Sequence, residues 1–265
     1  MKLFTARTLE KRLPCTAVLR IKFGLPREAG FTLIELLIVM AISVMLLAGI
    51  YGAYRGHLST TLAQQHMVEM NQNLRTAVLI MGRDIRMAGV DPSGNAGAGF
   101  VTATRSLMEI SMDYQSTHAG TKNKPWYDGS ISTSGEVVRF DLSTTGELRR
   151  RVNAEGKNSL TTGITRHLAR NIDAVDFVYL DADGTVLNSD ARGMVSDDNR
   201  TKIRSVQVTL VARAAASAPV LARKHTDRTI YYNAQGSVIL DKSASPDSFR
   251  RQMISLTLNC RNMGT

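Results

Sequence analysis

The residue whose type and setting point most directly to chemistry is Glu35. From Phe31 to Tyr54 the chain is almost entirely apolar, and Glu35 is the one ionisable residue that precedes the tyrosines of this stretch. A charged side chain inside a membrane-spanning segment is costly, so residues of this kind are usually functional. We therefore expect Glu35 to have a partner that compensates its charge.

The segment that carries Glu35 is long enough to cross a bilayer. As a helix, about 24 residues rise roughly 36 Å, which exceeds a hydrocarbon core of about 30 Å. After Tyr54 polar residues enter, but apolar residues recur at spacings of three, four and five, which predicts that an amphipathic helix continues the apolar one. Gly89 and Pro92 provide its stop signal.

The rest of the chain has the pattern of a sheet. Short strand-like runs between turn signals predict strands over 100–112, 136–142, 147–152, 174–180, 185–187, 203–212, 229–232 and 254–258. Asp183 and Gly184 indicate a hairpin between two of these runs. One long helix followed by a mainly antiparallel sheet is an α+β fold.

Charge predicts the orientation in a membrane. The chain has 265 residues and a net charge of +10. Residues 1–30 contain seven Lys or Arg residues and two acidic ones, which predicts a cytoplasmic location for that segment and an external one for the domain that follows. The remainder shows no dense basic stripe with interleaved aromatic residues, so we do not expect a nucleic-acid partner.

The sequence Gly-Phe-Thr-Leu-Ile-Glu at residues 30–35, followed by an apolar helix, resembles the processing site of type IV prepilins and pseudopilins. The resemblance implies that a prepilin peptidase cleaves between Gly30 and Phe31 and that the same enzyme N-methylates Phe31. Residues 1–30 would then be a leader that is removed. Glu35 would contact the free N-terminal amine of a neighbouring subunit during assembly.

The sequence Arg-Asp-Ile-Arg-Met-Ala-Gly at residues 83–89 resembles the PilW-like minor pilins and the J-type pseudopilins of type II secretion. The resemblance implies a type IV pilin-like fold: a transmembrane helix half over 31–54, an amphipathic half over 55–89 and an extracytoplasmic β-rich domain over 90–265. Arg83, Asp84 and Arg86 are expected to face solvent or a partner. The motif does not separate a minor pilin from a pseudopilin, so both stay open.

The resemblance also implies partners and a location. The partners would be the prepilin peptidase/methyltransferase, other minor pilins, the major pilin and inner-membrane lipid. The protein would be a single-pass inner-membrane protein with a periplasmic C-terminal domain, and part of the pilus after assembly. A membrane-anchored binding module unrelated to filaments, which would keep its leader, is an alternative from another class.

No pattern of residues indicates an enzyme, a cofactor or a metal. The five histidines are scattered, and neither a Gly-x-Ser-x-Gly elbow nor a phosphate-binding loop is present. Asp176, Asp181 and Asp183 are interpreted as turn residues rather than calcium ligands. Removal of the leader would remove Cys15 and leave Cys260, which we expect to be buried as a small apolar residue.

Overall fold

The computed structural model describes residues 30–114, 126–154, 156–157, 160, 163–187, 193–215 and 225–264. Apart from Gly30, the expected leader lies outside the described residues, as does Cys15. The chain divides into two compact units, Met1–Tyr51 and Gly52–Thr265.

The described residues form two helices and ten strands. The helices are α1, Leu33–Met87, and α2, Asp197–Arg200. The strands are β1 Phe100–Ala103, β2 Leu107–Ser111, β3 Val137–Leu142, β4 Leu148–Val152, β5 Ile164–Ala169, β6 Ile172–Leu180, β7 Ser205–Arg213, β8 Ile230–Tyr232, β9 Val238–Asp241 and β10 Arg251–Asn259. All the strand pairs among them are antiparallel, so the predicted α+β class with one long N-terminal helix is confirmed.

In the first unit, every described side chain is exposed, from Gly30 to Tyr51. This part of α1 is helical although its described side chains are exposed. By length and composition α1 is able to cross a membrane, and it is the one such helix among the described residues.

In the second unit, α1 has a buried face. Met70, Leu74, Ala77, Met81 and Ile85 are each at most 3% exposed, and their spacings of four, three, four and four place them on one side of the helix. This is the face that the apolar periodicity predicts. It packs into a core that also contains strands of a five-stranded sheet and of a three-stranded sheet.

The end of α1 follows the predicted stop signal. Gly89 has a φ of 78°, the left-handed conformation that commonly terminates a helix. Its N–H donates to the carbonyl oxygen of Ser111 at 3.0 Å, which joins the helix end to β2. A Cβ at this position would lie 2.7 Å from Sδ of Met263, a flexible side chain, so the backbone angle is the main reason for glycine here.

The strands form three sheets. A five-stranded sheet has the order β1-β2-β3-β4-β5, a three-stranded sheet has the order β10-β7-β6, and β8 pairs with β9. Phe100 on β1 and Tyr179 on β6 meet edge to face with ring centroids 5.7 Å apart, which links the two larger sheets through the core. Cys260 is buried in the same core, and burial raises the pKa of its thiol to about 12.

Two strand predictions need correction, and two strands were missed. The run 100–112 is not one strand but a hairpin of β1 and β2. No strand forms over 185–187, where Val186 makes a single isolated bridge to Leu180 after the Asp183–Gly184 turn. β5 and β9 were not predicted; β5 contains Thr165, Arg166 and His167 among mostly exposed positions, and its pairing with β4 defines it as a strand.

The second unit holds a buried arginine, Arg251 on β10, whose side chain is 1% exposed. Its Nε donates to Oδ2 of Asp173 at 2.6 Å, and its Nη1 donates to Oδ2 of Asp227 at 2.8 Å. Its Nη1 and Nη2 also donate to the two carboxylate oxygens of Asp247, at 2.7 and 2.6 Å. We refer to these four residues as the Arg251 cluster.

The charge of the Arg251 cluster is balanced by its surroundings. Arg213 lies 3.3 Å from Asp173, and Lys242 lies 3.1 Å from Asp247, so three cations face three carboxylates. Hydrogen bonds from Arg251 outweigh partial burial and hold the pKa of Asp247 well below its usual range. Burial alone would raise the pKa of Asp227, but hydrogen bonds, including that from Arg251, lower it overall. The cluster joins β6, β10 and the segments before β8 and β10.

Candidate functional site

The candidate processing junction lies immediately before α1. Gly30 and Phe31 are outside regular secondary structure, and the side chain of Phe31 is 87% exposed. A Cβ built on Gly30 meets no atom within 4 Å, so the described residues around Gly30 leave the junction open. The 30–31 peptide bond is therefore outside the helix and is not covered by other described residues.

Thr32 and Glu35 form a reciprocal pair that caps the first turn of α1. The N–H of Glu35 donates to Oγ1 of Thr32 at 3.3 Å, and the N–H of Thr32 donates to Oε2 of Glu35 at 3.0 Å. The Thr32 hydroxyl also donates to Oε2 of Glu35 at 3.0 Å. This is a capping box, in which two backbone N–H groups that the helix cannot satisfy are satisfied by side chains.

The capping box gives Glu35 a local partner. Among the residues that the structure describes, Thr32 supplies every hydrogen bond to the Glu35 carboxylate, and all of these bonds go to Oε2. Oε1 accepts no hydrogen bond from this part of the chain. The carboxylate is held in a defined position at the helix start while one of its oxygens stays available.

Thr32 is a site residue that the expectations from sequence did not include. The signal was present, since Thr-Leu-Ile-Glu at residues 32–35 has the threonine-to-glutamate spacing of a capping box before an apolar run. The same four residues belong to the processing motif. One short stretch therefore starts the helix and orients the carboxylate that the resemblance assigns to assembly.

Residues 25–51 match the model of the prokaryotic N-terminal methylation motif. The matched segment contains the 30–31 junction, the capping box and the apolar first part of α1, and it supports membership of the pilin superfamily and a membrane-anchored, structural role. One long N-terminal helix followed by antiparallel sheets is also the architecture that the resemblance to type IV pilins implied.

Among solved structures, the chain is similar to a type IV-like pilin from Thermus thermophilus. The identity is 14% and the TM-score is 0.45, over 74% of this chain and 98% of the other. No curated protein matches the sequence.

The structure corrects the expectation for the 83–89 stretch at one position. Arg83 and Arg86 are exposed, but Asp84 is only 7% exposed and accepts a hydrogen bond from Nε of Arg150 at 2.6 Å. Asp84 therefore ties α1 to β4 instead of facing solvent. The periodicity of α1 could have indicated this, because Asp84 is next to the buried Ile85 and lies three residues from the buried Met81.

The acidic residues near the Asp183–Gly184 turn have two different roles. Asp181 Oδ1 accepts the N–H groups of Asp183 at 3.0 Å and Thr185 at 2.8 Å, which is the behaviour of the turn residue predicted for it. Asp176 is buried and is not a turn residue, because it accepts hydrogen bonds from Arg105 and Asn233 within the core. In the described ranges, no group of three or more His, Cys, Asp or Glu side chains could hold a metal ion.

Proposed function

We propose that this protein is a PilW-like minor pilin of a type IV pilus, held in the inner membrane until it is assembled. The observation that carries the proposal is the order of the N-terminal features. The Gly30–Phe31 junction precedes the apolar helix, whereas a secretory signal is cleaved after its apolar stretch. Cleavage at 30–31 leaves the helix in the mature protein, where it serves as a membrane anchor and then as a packing element.

The proposed processing consists of two steps. In the first, the peptidase adds water across the bond between the carbonyl carbon of Gly30 and the backbone nitrogen of Phe31, which leaves a carboxylate on Gly30 and an amine on Phe31. In the second, the same enzyme transfers a methyl group to that amine from a sulfonium methyl donor, whose carbon–sulfur bond breaks to leave a thioether, and the nitrogen loses a proton. The exposure of both residues, and their position outside α1, support access to this bond.

Glu35 has the proposed role of an assembly contact. The Thr32 hydrogen bonds hold its Oε2, while its Oε1, which accepts no hydrogen bond from the described residues, would accept a charged amine. In a filament, that amine is the N-terminus of a neighbouring subunit's Phe31. A buried pair of this kind is stable only when both partners are present, so an unpaired Glu35 disfavours a wrong register between helices.

The proposed position of the protein is at the start or tip of the filament. Its exposed apolar helix over 31–54 would pack against the corresponding helices of other minor pilins and of the major pilin. Its domain over 90–265 would lie on the periplasmic side before assembly. The same features suit a J-type pseudopilin of type II secretion, which is the alternative that the experiments must separate.

The decisive experiment is N-terminal mass spectrometry of the purified full-length product in a wild-type strain and in a prepilin-peptidase deletion strain. We expect N-methyl-phenylalanine at residue 31 in the wild type and an intact leader in the deletion strain. Gly30→Leu should also retain the leader. Gly49→Leu, a matched change inside the helix, should be processed normally. An uncleaved wild-type protein would contradict the proposal.

A second experiment separates the two filament types. In a strain that lacks the gene for this protein, loss of surface pili with normal type II secretion supports a minor pilin. Loss of secretion with normal pili supports the J-type pseudopilin. Recovery of the protein in sheared pilus fractions, with detection by an antibody, gives an independent measurement of the same distinction.

A further inference from the structure

The second unit contains a cavity of about 790 Å³ beside the C-terminal end of α1. Five of the residues that line it are arginines from four separate parts of the fold, and we refer to them as the arginine pocket. Two are on α1, one is on β4, one is on β5 and one follows β10: Arg83, Arg86, Arg150, Arg166 and Arg261.

The described residues neutralise only part of the charge of the arginine pocket. Asp84 is the one carboxylate in its lining, and it is paired with Arg150 at 2.6 Å. In the described part of the chain, no carboxylate lies within ion-pair distance of Arg83, Arg86, Arg166 or Arg261. Four guanidinium groups therefore line one cavity without an ion-pair partner among the described residues.

Two features of the backbone hold like charges close together. Arg150 and Arg166 are directly opposite each other in the β4–β5 register, an arrangement that is unfavourable for two cations. Arg83 and Arg86 are three residues apart on α1, so they are neighbours on the helix surface. An anion bound in the cavity would relieve both repulsions.

The lining also contains apolar side chains. Ile80 and Met87 of α1, Val90, Met112 and Leu168 contribute to it. Tyr114 is the one aromatic residue in the lining, and burial raises the pKa of its phenol while the nearby Arg150 opposes that shift. The cavity therefore combines guanidinium groups with apolar side chains.

We propose that the arginine pocket binds an acidic peptide segment of a partner protein, with carboxylates on the guanidinium groups and an apolar side chain against the apolar residues of the lining. Guanidinium groups bind carboxylates in a planar, bidentate geometry. A single-stranded nucleic acid requires several aromatic platforms for its bases, whereas this lining offers only Tyr114. The proposal does not depend on the filament role and applies equally to a pseudopilin.

Binding is tested with the full-length protein in detergent micelles, by fluorescence anisotropy. The probe is a labelled hexapeptide in which glutamate alternates with leucine. The control probes are the same peptide with glutamine for glutamate and a thymidine oligonucleotide of equal net charge. We expect the glutamate peptide to bind most tightly, and its affinity to fall as salt is added.

The matched variants are Arg83→Glu/Arg166→Glu in the pocket and Arg75→Glu/Arg228→Glu outside it. Both double variants change the net charge equally, and all four side chains are exposed. We expect the pocket variant to lose about tenfold in affinity for each arginine, because one charge-assisted hydrogen-bonded contact is lost at each. The control variant should bind like the wild type.

A charge-conserving variant, Arg83→Lys/Arg166→Lys, keeps the electrostatic attraction but removes bidentate contacts, so its affinity should be intermediate. Circular dichroism of every variant checks that the domain is folded. The proposal is overturned if the glutamate peptide does not bind, if the glutamine peptide binds equally well, if the oligonucleotide binds more tightly, or if the two glutamate-substituted variants weaken binding equally.

Discussion

The first turn of α1 and the Arg251 cluster each hold a charged side chain, but they satisfy its charge in different ways. Arg251 is 1% exposed and is bonded to three carboxylates from positions 173, 227 and 247. Glu35 is in an exposed apolar segment, and Thr32, three residues away, is its hydrogen-bonding partner among the described residues. The charge of Arg251 is compensated by residues that the tertiary fold brings together. The hydrogen bonds to Glu35 come from a residue of its own helical turn.

This difference bears on whether each charged residue contributes to the stability of the fold or to contacts with other molecules. Removal of a partner in the Arg251 cluster leaves buried charges uncompensated, so its contribution is to stability. The carboxylate of Glu35 keeps one oxygen without a partner among the described residues, which suits the contact with another subunit that we propose for it. The arginine pocket is an intermediate case, because the fold brings its cations together but provides one carboxylate for five of them.

The largest effect is expected for Arg251→Met. It leaves three carboxylates without their shared cation, and breaking a buried ion pair in this way destabilises a protein by about 3–5 kcal/mol. Chemical denaturation of the full-length protein in detergent measures the loss. The adjacent Arg250→Met is the control and should change the free energy of unfolding by less than about 0.5 kcal/mol. Equal effects of the two changes would contradict a structural role for the cluster.

A second test is Glu35→Val. We expect it to be cleaved and methylated normally and to leave the free energy of unfolding unchanged, while its incorporation into pili falls by on the order of tenfold or more because a neighbouring amine loses its counter-charge. Quantitative blots of membrane and sheared pilus fractions measure this ratio. Wild-type incorporation of the variant would show that Glu35 is not an assembly contact.

Acid should weaken the Arg251 cluster. The pKa values of Asp227 and Asp247 are below their usual range in the folded protein. Their contribution to stability is therefore complete above the unfolded pKa of about 3.9 and is lost as the pH falls further through the lower folded values. Unfolding measured between about pH 7 and about pH 2 should show this decline. The decline should be smaller in Arg251→Met, and an identical pH profile would contradict the assignment.

The smallest effect is expected for Thr32→Val, which removes the hydroxyl of the capping box but keeps the shape of the side chain. Amide hydrogen exchange in the first turn of α1 should become roughly two- to tenfold faster, as expected for loss of a helix cap. Exchange in the second unit should not change. Unaltered exchange in the first turn would show that the capping box does not hold the helix start in solution.

The long helix and its stop signal could be predicted because they depend on neighbours in the sequence. Met70 to Ile85 follow the helical period, and Gly89 adopts the left-handed conformation that a helix end needs. The placement of the capping box was equally available from the Thr32-to-Glu35 spacing. β5 was not predictable in the same way, because its polar residues have little strand pattern and its structure depends on pairing with β4.

The amino-acid sequence by itself determined the candidate functional features at the N-terminus: the Gly30–Phe31 junction, the carboxylate at position 35 and a helix long enough to span a bilayer. These are local, since each involves residues within a few turns of one another. The tertiary structure decided which arginines form ion pairs within the described residues and which do not. Arg150 and Arg251 pair with carboxylates remote in sequence, whereas Arg83 and Arg166 line one cavity and have no ion-pair partner among the described residues. That distinction depends on distances between residues remote in sequence, which only packing of the helix and sheets creates.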